Sequence, residues 1–192
     1  MSKLILASAS PRRQKLLSQL GTPFAVLPAD IDERYHAGEA PRDYVTRMSR
    51  TKAQQVAQQY PEAWVLGADT IVTIDNRILG KPKDAVEATA MLSSLSGRVH
   101  AVLTGIALVQ HGQGYAALDT VSTRVYFRSL SEADIAAYIA TGEPFDKAGA
   151  YAIQGLASAF VERYEGCYTN AVGLPVQRTL AMLRDAGFAP SH

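Results

Sequence analysis

Val99-His100-Ala101-Val102-Leu103-Thr104, Gly105-Ile106-Ala107-Leu108-Val109-Gln110, then His111-Gly112-Gln113-Gly114 and the run Tyr115 to Phe127 form the stretch whose reading decides the fold. Val99–Thr104 and Gly105–Gln110 are strand-like, and Tyr115–Phe127 follows them across a glycine-containing turn. Strands that adjoin in sequence pair as hairpins, whereas parallel neighbours need a long crossover connection. A mixed, partly antiparallel central sheet is therefore expected in place of an all-parallel doubly wound one.

Outward from that stretch, strand and helix signals alternate. Leu4-Ile5-Leu6-Ala7 reads as a buried strand, and the spacing of Leu16, Leu17 and Leu20 predicts a helix closing at Gly21. Pro41 can start a second helix running through Tyr44, Val45, Met48, Lys52, Val56 and Ala57 to a stop near Pro61. Trp64-Val65-Leu66 is a short strand that meets Gly67-Ala68-Asp69-Thr70 and continues into Ile71–Ile74, with a hairpin turn at Asp75-Asn76-Arg77. Further helices are expected over Asp84–Leu95, from Ser131 to about Thr141, and from about Pro175 to Ala186. The sum is an α/β chain with flanking helices and no repeat, low-complexity tract or linker.

Composition narrows the function. The 192 residues fit one large domain or two small lobes, and 47% hydrophobic content is enough for a core. With 19 basic against 18 acidic residues, no global field favours nucleic acid or membrane, so any basic site must be local. Met1-Ser2-Lys3 followed by four apolar residues lacks the form of a secretory signal, and no run approaches a membrane span. The single cysteine, Cys167, excludes an internal disulfide and a cysteine-rich zinc site. A cytoplasmic enzyme or binding protein is the default, with Cys167 better explained by packing than as a nucleophile.

Several polar clusters interrupt this apolar pattern. In Ser8-Ala9-Ser10-Pro11-Arg12-Arg13, Ser10 is a good N-cap and Pro11 fits the first helical position. Free backbone N–H groups and two guanidiniums then share the first helical turn. Arginine there opposes the helix dipole, which points to a phosphate ligand; a solvated basic turn pairing with acids elsewhere is the alternative. Asp69, in Gly67-Ala68-Asp69-Thr70, follows the end of a buried strand, where a carboxylate is costly unless it meets a metal, a cation or a proton in transit. Lys52 stands where helical periodicity expects an apolar residue. Gly80-Lys81-Pro82 offers a lysine on a rigid turn, although a lone lysine is usually solvated and Asp84 is adequately explained as an N-cap. Gln154, in the glycine-containing stretch Asp146–Gly155, can donate and accept at once, as reading a nucleobase edge requires; a plain glycine-rich loop explains the stretch equally well.

Together with Asn170 and Val172-Gly173-Leu174-Pro175, these motifs in this order resemble those of the Maf family, over Leu4 to Pro175. The resemblance implies a nucleoside triphosphate pyrophosphatase whose α/β fold is similar to that of the inosine triphosphate pyrophosphatases, one domain over 1–192 with two lobes around a nucleotide cleft. It implies that Ser8, Arg12, Arg13, Lys52 and Lys81 hold phosphates, and that Asp69 is the proton acceptor. Glu33 matches a family acid near the metal, so Glu33 and Asp69 are the metal candidates, for Mg²⁺ or Mn²⁺. Arg12, Thr70 and Gln154 match the specificity positions. The form Ala150–Gly155 looks like the subgroup acting on dTTP and UTP, with CTP and modified pyrimidine nucleotides as further candidates; the 7-methyl-GTP subgroup usually has glutamate at the place of Gln154. The resemblance also suggests a homodimer.

The implied reaction agrees with the residue inventory. Water attacks the α-phosphorus and pyrophosphate leaves, which requires a neutralised polyanion and an aligned water. Asp69 suits either a general base or a metal ligand, and sequence leaves both roles open. Three other readings compete: 7-methyl-GTP hydrolysis, a non-catalytic nucleotide-binding regulator of cell division, and a phosphatase or nuclease using the same basic pocket. The near-neutral charge and the lack of interleaved basic and aromatic residues argue against nucleic acid.

Overall fold

The computed structural model describes residues 3–188, so Met1 and Ser2 of the stretch weighed as a secretory signal lie outside the described residues. Seven strands form one sheet: β1 (Leu4–Leu6), β2 (Phe24–Val26), β3 (Trp64–Ile74), β4 (Arg77–Leu79), β5 (Val99–Gln110), β6 (Tyr115–Phe127) and β7 (Val161–Glu165). Among the described residues six α-helices accompany them: α1 (Pro11–Ser18), α2 (Pro41–Gln59), α3 (Ala85–Leu95), α4 (Glu132–Ala140), α5 (Tyr168–Val172) and α6 (Val176–Asp185). The strand order is β2-β1-β3-β5-β6-β7, with β4 paired to β3. The sheet is mixed: β1 runs parallel to β2 and β3, whereas β3–β4 and β6–β7 are antiparallel.

The chain divides into two compact units, one comprising Met1–Asp69, Thr104–Val121 and Gly173–His192, the other Thr70–Leu103 and Ser122–Val172. In the first unit, Ile5, Val65, Ala107 and Val109 of the strands, with Ala7 just after β1, pack against Ala53, Val56 and Ala57 of α2. Two glycines set the depth of that packing. A Cβ at Gly67 would lie 2.2 Å from the Ser49 carbonyl oxygen, and one at Gly105 would lie 2.4 Å from that of Val45. Only glycine on β3 and β5 lets α2 lie this close to the sheet. In the second unit, His100 meets Phe127 and Tyr151 edge-to-face, and the aromatic cluster continues from Phe127 to Phe160 and from Phe160 to Tyr138. Asn170, fully buried, donates to the Val102 carbonyl at 3.1 Å and to Thr123 Oγ1 at 2.9 Å, so its place in the motif is structural.

Two expectations need correction. Asp69 does not follow the end of a strand; β3 runs unbroken from Trp64 to Ile74 and holds Asp69 at its middle. The reason lies in the partners. β1 pairs with β3 as far as Leu6 opposite Leu66, and β4 pairs with it from Val72 opposite Leu79, so Asp69 lies on extended backbone between the two pairings. The hairpin turn is tighter than expected, with Asp75 and Asn76 both at positive φ (49° and 61°) and Arg77 already in β4.

Candidate active site

Parallel pairing of β1 with β3 carries the Ser8–Ser10 turn to the carboxyl end of β1, the place where α/β sheets bind ligands. The Ala7 N–H still donates to the Leu66 carbonyl at 2.8 Å, holding the turn beside Gly67-Ala68-Asp69. Ser10 caps α1, its Oγ accepting from the Arg13 N–H at 3.4 Å, and Pro11 opens the helix. Buried Ser8 accepts at Oγ from the Ser10 N–H (3.3 Å) and from Arg13 Nη1 (3.1 Å), while Arg13 Nε donates to the Gly173 carbonyl at 2.9 Å. Arg13 is therefore partly a brace. Burial pushes its pKa down, opposed by the Asp69 carboxylate, with neighbouring Arg12 pushing further down and Glu33 back up. Half-buried Arg12 has no salt-bridge partner among the described residues.

Lys52 is the odd residue of α2, and the structure explains it. It stands one turn beyond Ser49 and next to Ala53, the two residues that close on Gly67, so its stem is buried against the sheet and its ammonium emerges at Asp69. Lys52 Nζ lies 2.7 Å from Asp69 Oδ1 and 2.6 Å from Glu33 Oε1. The Lys52 and Asp69 side chains are 11% and 14% exposed, but Glu33 is 58% exposed, so the pair opens to solvent on the Glu33 side.

Glu33 sits on a strandless segment that α2 holds from outside. The Tyr44 hydroxyl donates to the Glu33 carbonyl at 2.9 Å, Arg47 Nη2 donates to the Arg34 carbonyl at 3.1 Å, and Arg47 Nε forms a 2.6 Å ion pair with Glu39. Tyr44 also reports the local field: burial first, then the Asp69 and Glu33 charges, push its hydroxyl up to about 12. Sequence reading placed Tyr44 on the helix face and missed this clamp. The only signal was an aromatic and an arginine three residues apart, next to an acid just before the helix.

Among the described residues no group of three or more His, Cys, Asp or Glu side chains could enclose a metal ion. Two carboxylates converging on one point are nevertheless what Mg²⁺ or Mn²⁺ needs when phosphate oxygens and water complete the shell. Glu33 and Asp69 thus fit a metal shared with substrate.

The other candidates belong to the second unit. Lys81 is exposed on the turn before α3, whose Asp84 caps the helix as expected, its side chain accepting from the Glu87 N–H at 2.8 Å. Gln154 is exposed on a loop that is firmly held within its unit. The Gly149 N–H donates to the Gly80 carbonyl at 3.0 Å, a Cβ on Gly149 would strike Val72 at 2.9 Å, and Glu143 Oε2 accepts from the Leu156 N–H at 3.3 Å. Thr70 is half-buried on β3, next to Asp69. The first unit joins Ser8 to Arg13 and Lys52 to both Asp69 and Glu33, and the Asp69 and Glu33 charges act on Arg13.

A family model described as Maf-like protein matches residues 3–186. The chain belongs to the Maf family. A dTTP/UTP pyrophosphatase of Myxococcus xanthus (strain DK1622) is 54% identical over 184 residues, covering 96% of this Maf chain and 92% of that protein. A dTTP/UTP pyrophosphatase of Syntrophomonas wolfei subsp. wolfei is 50% identical over 182 residues, covering 95% and 96%. Among solved structures, a HAM1 protein from Coxiella burnetii aligns with a TM-score of 0.45 and 18% identity over 66% of this chain and 73% of that one. No helix among the described residues of this Maf protein is long and apolar enough to cross a membrane.

Proposed function

We propose that this chain hydrolyses dTTP and UTP to the nucleoside monophosphate and pyrophosphate. The observation that carries the reading is the contact of Lys52 with both Asp69 and Glu33, beside the Ser8–Arg13 turn, in a chain about half identical over nearly its whole length to proteins named for that activity. Arg12 and the amino end of α1 supply positive charge for phosphate oxygens, and Ser8 and Gly173 hold the second guanidinium, that of Arg13, in place. Asp69 accepts the proton of the water that attacks the α-phosphorus, since its carboxylate is placed by a β-strand and oriented by a lysine. Mg²⁺ or Mn²⁺ held by Glu33 and Asp69 would neutralise phosphate charge and polarise the reacting group. Lys52 adds a mobile ammonium to the same task, and Lys81 is assigned to the phosphates on the strength of its motif.

Base choice is assigned to Gln154, with Thr70 and Arg12. A carboxamide can pair with the O4 and N3–H of thymine or uracil, and a site built on such bonds rejects bases that leave its groups unpaired. Cytoplasmic location and a homodimeric state belong to the same proposal.

The direct test is product analysis over a panel of canonical and modified triphosphates with Mg²⁺. Pyrophosphate and monophosphate, formed fastest from dTTP and UTP, support the reading; orthophosphate, or binding without release, overturns it. Gln154→Glu should lower the preference for dTTP and UTP over 7-methyl-GTP by ~10-fold or more, about the value of one lost base contact. An unchanged ranking removes Gln154 as the reader.

A further inference from the structure

We infer that Lys52 is the resident counter-cation of the Glu33–Asp69 pair, keeping the free chain from loading a divalent ion until a nucleotide arrives. The inference rests on the metal assignment of the proposed function but adds a property of the chain alone. One ammonium reaches both carboxylates, at 2.6 and 2.7 Å, and so occupies the point at which their charges converge. The lysine backbone cannot retreat, because α2 is seated on Gly67 and Gly105 with no space to spare. Its side chain can move: the four-carbon stem is flexible and the ammonium has three donors that serve phosphate as readily as carboxylate. The opening on the exposed side of Glu33 gives phosphate access to it.

Charge arithmetic then sets the order of events. Two carboxylates with one ammonium between them carry a net charge of −1, and a divalent ion approaching them meets the lysine at close range. A triphosphate changes the balance by giving Lys52 another partner. Lys52 passes to the polyanion, and both carboxylates become available together. Metal affinity is thereby coupled to nucleotide affinity through one side chain, and by reciprocity each raises the other.

The experiment is Mn²⁺ binding to the full chain without nucleotide, followed by the loss of the free-Mn²⁺ electron paramagnetic resonance signal. Lys52→Met should bind Mn²⁺ at least ~10-fold more tightly than wild type, as expected when a like charge is removed at contact distance. Lys52→Gln should do the same, Lys52→Arg should stay near wild type, and adding Glu33→Gln to Lys52→Met should abolish the gain. Thermal melts with and without Mn²⁺ confirm that each variant is folded, and Mn²⁺ should raise the Tm of Lys52→Met more than that of wild type. Equal or weaker Mn²⁺ binding by folded Lys52→Met overturns the inference. Pyrophosphate release by the wild type alongside that result would leave the proposed function standing, whereas tight Mn²⁺ binding by the variant with no pyrophosphate from any triphosphate would overturn the function alone.

Discussion

Each unit buries a polar pair with one member on a long strand, Asp69 on β3 and His100 on β5, and the two pairs are stabilised in opposite ways. Lys52 and Asp69 in the first unit are nearly enclosed yet held as ions, with the exposed Glu33 on their open side. His100 and Tyr151 in the second unit are enclosed by Phe127 and its aromatic neighbours and joined by a 2.6 Å hydrogen bond between His100 Nε2 and the Tyr151 hydroxyl. Burial alone pushes the histidine pKa down from 6.5 to about 4, and burial, with a small contribution from Tyr138, drives that of the tyrosine up, so both are neutral at pH 7. Charge is kept where a ligand can reach it and removed where none can. The ionic pair should therefore control turnover, and the neutral pair should control stability.

The sharpest way to break that contrast is Asp69→Asn. The amide keeps the shape of the side chain and leaves Glu33 to pair with Lys52, but it cannot accept a proton. Turnover should fall between ~100- and ~10,000-fold, the range for loss of a general base, with little change in melting temperature. A variant that melts like wild type and still turns over at a near-normal rate removes Asp69 from the chemistry.

Much of this division is legible in the sequence, and the gaps have physical causes. The long helices and strands announce themselves: α2 begins at Pro41, β6 spans Tyr115–Phe127, and the helix expected from Ser131 is opened by a capping box of Ser131 with Asp134. The edge strands do not. Phe24–Val26 has three residues and no clean alternation, and Val161–Glu165 is mostly exposed, so both are defined by the neighbour they pair with and not by their own pattern. Lys52 and Asp69 stand out singly as polar residues at apolar positions, but their meeting depends on the glycines of β3 and β5, which fix the height of α2. Glu33 carries no local pattern at all; its segment is held by Tyr44 and Arg47, 11 and 14 residues further along, and only resemblance to the family marks it.

A smaller effect concerns pH. Because His100 titrates lower in the folded chain than in the unfolded one, the unfolded state binds the extra proton between the two pKa values. The contribution of the neutral histidine is full above pH 6.5, declines as pH falls towards about 4, and changes no further below that. The loss amounts to about 3 kcal/mol over the window. Denaturant midpoints for wild type and His100→Leu from pH 7.5 to 4 should show a stability difference that shifts against the wild type as pH falls. A difference that stays constant across the window would mean that His100 is not buried neutral.

The smallest expected effect tests the hydrogen bond inside the neutral pair. Tyr151→Phe keeps the ring contacts with His100 and Phe127 but removes the hydroxyl, leaving His100 Nε2 buried without this partner; Nδ1 already has none among the described residues. An orphaned buried polar atom costs about 2 kcal/mol, which for a chain of this length lowers Tm by roughly 4–8 °C. Turnover of dTTP should stay within a few-fold, since the loop bearing Gln154 is also held through Gly149 and through the Glu143 contact at Leu156. If turnover collapses in Tyr151→Phe while the melting temperature barely moves, the neutral pair is part of the reaction machinery, and charge is not what separates the working region of this chain from its supporting one.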